Sequence, residues 1–104
     1  MTGNRLTMYA ELAAWWPLLS APADYEEEAT HWAGALREHC TAPCSTLLEL
    51  GSGGGNNASW MKRSFERVTL VDLSPDMVEV SRALNPDCEH GVGDMRTMRL
   101  GRVF

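Results

Sequence analysis

The chain of 104 residues, with 44% AVILMFWYC side chains, 22% charged side chains, 9 glycines and 5 prolines, has the composition of one soluble globular domain and not of a disordered or fibrous segment. Its 14 acidic against 9 basic side chains give a formal charge of −5, which removes the broad positive field that draws proteins to phosphate backbones, so no nucleic-acid partner is expected. No apolar run approaches the ~18 residues of a membrane span, and the start MTGNRLTMYAEL lacks the basic and apolar regions of a secretory leader, so neither membrane nor export is expected.

Leu6, Ala10, Leu12, Ala13 and Trp16 recur at helical spacing before Pro17, which predicts one short amphipathic helix. After the loop Ser20-Ala21-Pro22-Ala23, Asp24 is placed to N-cap a second helix, with Glu27 three residues on and Glu26, Glu27 and Glu28 at the positive end of the helix dipole. Tyr25, Ala29, Trp32, Ala33 and Leu36 form its stripe, and Arg37 and His39 suit its last turn near residue 39. Cys40 and Cys44 follow; with Cys88 they make an odd number, which argues against a disulfide framework and suits a reducing cytoplasm. Zinc at His39, Cys40 and Cys44 would need a further ligand, so ordinary small residues are the expected reading and no metal site is assigned.

Thr46-Leu47-Leu48-Glu49-Leu50 is a short apolar run that stops in Gly51-Ser52-Gly53-Gly54-Gly55, the pattern of a buried parallel strand followed by a tight turn. A helix from Asn56 to about Ser64 and a β-branched strand Arg67–Asp72 complete a βαβ unit. Ser74 as N-cap and Pro75 at the first helical position start another helix, which Asn85-Pro86 stops. A third strand is expected near Cys88–Val92, and Arg102-Val103-Phe104 reads as the start of a fourth.

The chemistry is concentrated where strand, glycine turn and acid meet. Gly51 permits the tight exit turn, Gly53 lets the main chain approach a ligand, and Gly55 lets the next helix pack closely. Asp72 ends the next strand 21 residues after Gly51, where its carboxylate could accept hydrogen bonds from both hydroxyls of a ribose. Against this stands the plain reading of a glycine turn and a loop-capping aspartate, which the joint spacing disfavours. The register Gly53-Gly54-Gly55-Asn56-Asn57-Ala58 also satisfies the dinucleotide pattern, so an NAD(P)-dependent oxidoreductase stays open. Two features oppose it: the first glycine of that register falls three residues after Leu50, and Glu49 would be an anion near a pyrophosphate. An acid there suits a ligand that carries positive charge.

Glu49-Leu50-Gly51-Ser52-Gly53-Gly54-Gly55 resembles the acid-x-G-x-G-x-G motif of class I S-adenosylmethionine-dependent methyltransferases. Val71-Asp72-Leu73-Ser74-Pro75-Asp76-Met77 resembles that family's second-strand motif, and Gly93-Asp94-Met95 its third. The resemblance implies a Rossmann-like α/β fold in three αβα layers, with parallel strands ordered 3-2-1 and strands 4–7 missing. Residues 1–42 would then be N-terminal helices and 43–104 a cofactor-binding βαβαβ core of a single partial domain. It implies S-adenosyl-L-methionine as cofactor and S-adenosyl-L-homocysteine as product. Glu49, Gly51, Ser52, Gly53 and Gly55 would surround the methionine part, Asp72 would take the ribose, and Leu73 and Met77 would flank adenine. Asp94 would accept from the adenine amino group beside Gly93, with the Met95 amide facing a ring nitrogen.

Tyr9, Asp24-Tyr25 before an acidic helix, and Gly93-Asp94-Met95-Arg96 with Arg99-Leu100-Gly101-Arg102 are similar to the small-molecule branch of the family, including sugar N-methyltransferases. There N-terminal tyrosines often help cover the cofactor, so Tyr9 and Tyr25 are candidates beside their plain reading as helix-edge residues. The loop departs from the family pattern at Gly54 and at Asn56-Asn57. Trp15, Trp16 and Trp32 could lid a pocket, although such stripes usually pack. His90 lies near the crevice but on the wrong side of Asp94 for a base. The resemblance places acceptor-shaping groups after the fourth strand, so no catalytic residue is assigned. The first strand, apolar on both faces, is expected to form an open edge through which copies could associate. A non-enzymatic interaction module of the same fold is the remaining alternative.

Overall fold

The computed structural model describes residue 13 and residues 15–40 and 44–104. The expected helix through Leu6, Ala10 and Leu12, and the candidate Tyr9, lie outside the described residues. The elements are α1 (Trp16–Leu19), a 3-10 turn (Pro22–Tyr25), α2 (Glu26–His39), β1 (Thr46–Leu50), α3 (Asn56–Met61), β2 (Arg67–Asp72), α4 (Pro75–Leu84) and β3 (Glu89–Val92). Among the described residues no helix is long and apolar enough to cross a membrane.

The three strands form one parallel sheet in the order β1-β2-β3, which is the expected 3-2-1 arrangement. Strand alternation gives the sheet two faces. On one, Val68 and Leu70 of β2 meet Ala29 and Ala33 of α2, Ala58 and Met61 of α3, and Phe65, which together form the core. The three alanines let the helix backbones sit close to one another and to the sheet. α4 joins the same face, since Ser81 Oγ lies 2.8 Å from Nε2 of His90, the register partner of Leu70. The opposite face, with Leu48, Leu50 and Thr69, is met by irregular chain from Met95 to Phe104, pinned where Arg102 donates to Thr69 Oγ1 at 3.0 Å and to Glu89. Among the described residues that second flanking layer is therefore loop, not helix.

Several local expectations are corrected. Asp24 does not cap α2: its carboxylate accepts from the Ala21 amide at 3.4 Å and so closes the 3-10 turn, because Pro22 starts that turn first. The stripe of α2 is narrower than its spacing suggests, with Ala29 and Ala33 buried but Trp32 52% exposed. Arg102-Val103-Phe104 does not begin a strand; the Arg102 side chain is committed to Glu89 and Thr69 and stacks on Phe104 with 4.8 Å between its guanidinium carbon and the ring centre. Cys40 and Cys44 form a disulfide across a Cα–Cα distance of 6.2 Å, within normal bridging range. An odd cysteine count excludes a fully paired framework but not one local pair, and Cys88 stays free.

Candidate functional site

The parallel sheet delivers the ends of β1 and β2 to one edge, and two turns leave from there. Beyond β1, the Gly51 and Ser52 amides both donate to Val71 O, at 2.8 and 3.1 Å, so the turn begins hydrogen-bonded to the neighbouring strand. Gly51, Gly53 and Gly55 all have positive φ (73°, 57° and 81°), the alternation that the G-x-G-x-G register requires. Gly55 is also fixed by packing: a Cβ there would overlap Ser81 Oγ and Asn85 Nδ2. The fully buried Asn85 donates to Gly55 O at 2.9 Å and so ties the end of the loop to the end of α4.

Asp72 bridges the two turns. Its Oδ1 accepts from the Gly53 amide and its Oδ2 from the Ser74 amide, both at 3.0 Å. The capping role foreseen as the plain reading is thus real, and each oxygen keeps a second lone pair for a ligand. Ser74 in turn caps α4 by accepting from the Met77 amide at 3.3 Å.

Between the turns lies a cleft of about 440 Å³. It gathers Tyr25, Glu49, Gly51, Ser52, Gly53, Asp72, Leu73 and Met77 from the sequence-derived set. Gly55 lies beneath it as a packing residue. Gly93, Asp94 and Met95 do not line it, although the Gly93 amide donates to Asp72 O at 3.0 Å and so starts at its rim. Asp94 is held by Arg96, whose Nη2 approaches to 2.6 Å, and this contact lowers its carboxyl to about 2. Met95 turns its methyl toward Gly51 from the other side of the sheet. His90 is bound between Ser81 Oγ and Cys88 O and, with burial lowering its basicity, belongs to the seam between α4 and β3.

Sequence reasoning did not assign Trp16, Gly54, Asn56, Asn57 or Ser74 to the cleft, which all five line. The N-terminal elements reach it through long-range contacts. Asn56 Nδ2 donates to Ser20 O at 3.2 Å, Ser20 Oγ is 2.6 Å from Tyr25 Oη, and Trp60 Nε1 donates to Pro22 O at 2.7 Å. Of the three tryptophans weighed as lids, only Trp16 lies at the cleft; Trp15 and Trp32 are exposed. The doubled glycine at 54 was the available signal, since a Cβ there would overlap the Trp16 indole.

Glu49 is the electrostatic anomaly. Its side chain shares a face of the sheet with Leu70 and Asp72, and its Oε1 is buried without a hydrogen-bond partner. Burial, reinforced by the Asp72 charge, pushes its carboxyl up to about 7.

A parallel sheet with a glycine loop on its first strand and an acid ending its second is a Rossmann-like nucleoside-binding arrangement. The comparisons with known proteins narrow that class. Residues 47–102 match the family described as methyltransferase domain, and the chain belongs to that family. It is similar to the dTDP-3-amino-3,6-dideoxy-alpha-D-glucopyranose N,N-dimethyltransferase of Streptomyces fradiae, at 37% identity over 78% of this chain and 31% of the relative. A similar likeness, at 36% identity over 78% of this chain and 34% of the relative, links it to the dTDP-3-amino-3,4,6-trideoxy-alpha-D-glucopyranose N,N-dimethyltransferase of Streptomyces venezuelae. The chain thus spans about a third of the length of these curated relatives. Among solved structures, it superposes with a TM-score of 0.73 on the SAM-bound amino pentose methyltransferase CalS10 from Micromonospora echinaspora, at 30% identity over 77% of this chain and 34% of that one.

Proposed function

We propose that this chain is the cofactor-binding part of an enzyme that transfers a methyl group from S-adenosylmethionine to a small-molecule acceptor, an amino sugar on the precedent of its relatives. The observation that carries the reading is the convergence on one cleft of the glycine loop, the Asp72 carboxylate and the unpartnered Glu49. The cofactor would supply an electrophilic methyl on a sulfonium. Glu49, ionised, would face a positively charged ligand, and Asp72 would accept from ribose hydroxyls with the lone pairs its two amide contacts leave free. Leu73 and Met77 would flank adenine, and Ser52 and the loop main chain the amino-acid part. Tyr25, held by Ser20, would help cover the site, with Tyr9 proposed for the same task. Asp94 would take the adenine amino group by exchanging part of its Arg96 contact, beside Gly93 and the Met95 amide. Acceleration would come from aligning the acceptor with the methyl and excluding water.

Residues 43–104 form the cofactor core of this reading and residues 1–42 its covering helices, in one partial domain. The positive φ at Gly51 and the acidic side chain of Glu49 beside the loop support it over a dinucleotide register. Among the described residues β1 is an edge strand, and its Leu47, Leu48 and Leu50 support self-association through it; a strictly monomeric species in light scattering at high concentration would count against that. Nucleic acid is not a proposed partner, given the charge of −5. The free Cys88 suits the cytoplasm as location, while the Cys40–Cys44 link weighs the other way.

Calorimetric titration with S-adenosylhomocysteine, with NADH as the matched control, tests the reading. Saturable binding of the first alone supports it, and binding of NADH alone overturns it. Asp72→Asn is expected to weaken S-adenosylhomocysteine by about 2 kcal/mol or more, since it removes a charged acceptor and turns an NH2 on the Gly53 or Ser74 N–H that an oxygen now accepts from. Unchanged affinity would remove Asp72 from the site.

A further inference from the structure

The glycine loop ends in a closed circuit of contacts on the far side from the cleft. The Asn85 side chain donates to Gly55 O at 2.9 Å, and Asn85 O accepts from the Cys88 amide at 3.1 Å. Cys88 O lies 3.1 Å from His90 Nδ1, and His90 Nε2 lies 2.8 Å from Ser81 Oγ. The circuit closes at Gly55, where an added Cβ would overlap both Ser81 Oγ and Asn85 Nδ2. Ser81 and Asn85 are fully buried, whereas His90, on the edge strand β3, is only half-buried and so open to protons from solvent.

The partners fix the tautomer. A carbonyl oxygen can only accept, so Nδ1 carries the proton of the neutral ring and Nε2 accepts from the Ser81 hydroxyl. A second proton enters at Nε2 and reverses that contact: the imidazolium donates to Ser81 Oγ, and the hydroxyl must turn to another acceptor. The Asn85 amide borders the same point of Gly55, and its Oδ1 is buried without a partner among the described residues, so it offers one. The two states therefore set different contacts against Gly55.

The charged groups around the ring are committed elsewhere. On α4, Glu79 and Arg82 pair with each other at 2.6 Å. Toward β3, Asp87 is bound by Lys62, Glu89 by Arg67 and Arg102, and the Cys88 thiol is raised by burial. Across the sheet, the register partner is the apolar Leu70. Burial holds the imidazole below the usual histidine range, so the neutral ring is the resting form at neutral pH.

Resting on the methyltransferase reading, we infer that His90 is a positioning residue for the glycine loop: acting through Ser81, its neutral ring holds Gly55 in the form that receives the cofactor, and its protonation loosens that hold.

His90→Gln keeps an acceptor for Ser81 but does not titrate. The two chains are expected to bind S-adenosylhomocysteine within about twofold of each other at about pH 8, and the unsubstituted chain about three- to tenfold more weakly than the variant at about pH 5, the scale of one hydrogen bond. Glu49 lies two strands away and titrates in both chains, so it cancels in that ratio. Parallel pH profiles would make His90 structural only and overturn the assignment. Nuclear magnetic resonance on the ligand-free chain decides it independently, even if His90→Gln does not fold. The Gly55 amide shift is expected to follow the midpoint of the His90 ring and to lose that dependence in Ser81→Ala. A Gly55 shift indifferent to the ring, or a dependence that survives Ser81→Ala, overturns the coupling. No binding of S-adenosylhomocysteine at any pH, with the Gly55 shift still following His90, overturns the methyltransferase reading and leaves the coupling standing.

Discussion

Replacing Glu49 with glutamine stabilises the unliganded chain above neutral pH by up to about 3 kcal/mol, and the gain shrinks as the pH falls. The cause is the buried carboxyl, raised from 4.5 to about 7 by desolvation and by the Asp72 charge. An acid whose folded-state value lies above its unfolded value holds its proton longer in the folded chain. Its neutral form therefore favours folding fully below 4.5, and that contribution is lost as the pH rises through about 7. Glutamine is neutral throughout, so the difference between the two chains is near zero in acid and largest in mild alkali. Urea melts of both chains at about pH 4.5, 6 and 8 measure it directly, and titrating groups that do not interact with Glu49 cancel in the difference. A difference that does not change with pH would mean that Glu49 ionises as freely as in water.

The same substitution is expected to act in the opposite direction on binding. If the ligand is cationic, ionised Glu49 gains a partner and its cost is repaid in the complex, so glutamine weakens affinity most where it stabilises the free chain most. A site that destabilises its own scaffold until occupied is a familiar stability–function trade-off. Affinity of the unsubstituted chain for S-adenosylhomocysteine should accordingly fall as the pH drops below about 7.

What the sequence made legible is what local rules govern. α4 could be bounded to the residue because Ser74, Pro75 and Asn85-Pro86 act on their own neighbours, and the Ser74 cap is present. β1, β2 and their glycine turn were legible for the same reason, and Asp72 followed from their spacing. The features that local rules did not show are those decided between distant segments or between two competing local rules. Trp16 and Gly54 meet only because Asn56 and Trp60 anchor the N-terminal elements to Ser20 and Pro22. Asp24 satisfied a helix cap on paper, but the proline two residues earlier offered its carboxylate a nearer turn to close. Residues 102–104 have strand-forming side chains, yet the Glu89 carboxylate between Arg67 and Arg102 draws that segment across the sheet instead. Asp94 rests on the resemblance of Gly93-Asp94-Met95-Arg96, which names Arg96 but not its hold on the carboxylate.

Gly55→Ala is expected to cost the chain about 3 kcal/mol and to abolish the cleft's order, whereas Gly51→Ala costs about 1–2 kcal/mol. Both glycines have positive φ, 73° at Gly51 and 81° at Gly55, so an added Cβ strains both backbones similarly. The neighbours differ. At Gly51 the new methyl meets the tip of Met95 at 3.1 Å, and an exposed, flexible methionine can move aside. At Gly55 it meets Ser81 and Asn85, both fully buried, with Ser81 held by His90 and Asn85 by the Gly55 carbonyl itself. Neither can retreat without leaving a buried polar group unpaired, so overpacking and hydrogen-bond loss add to the backbone strain. Chemical denaturation of the two variants against the unsubstituted chain separates the contributions. Equal losses would show that the α4 seam yields as easily as Met95 does, and that Gly55 is required for its backbone conformation alone.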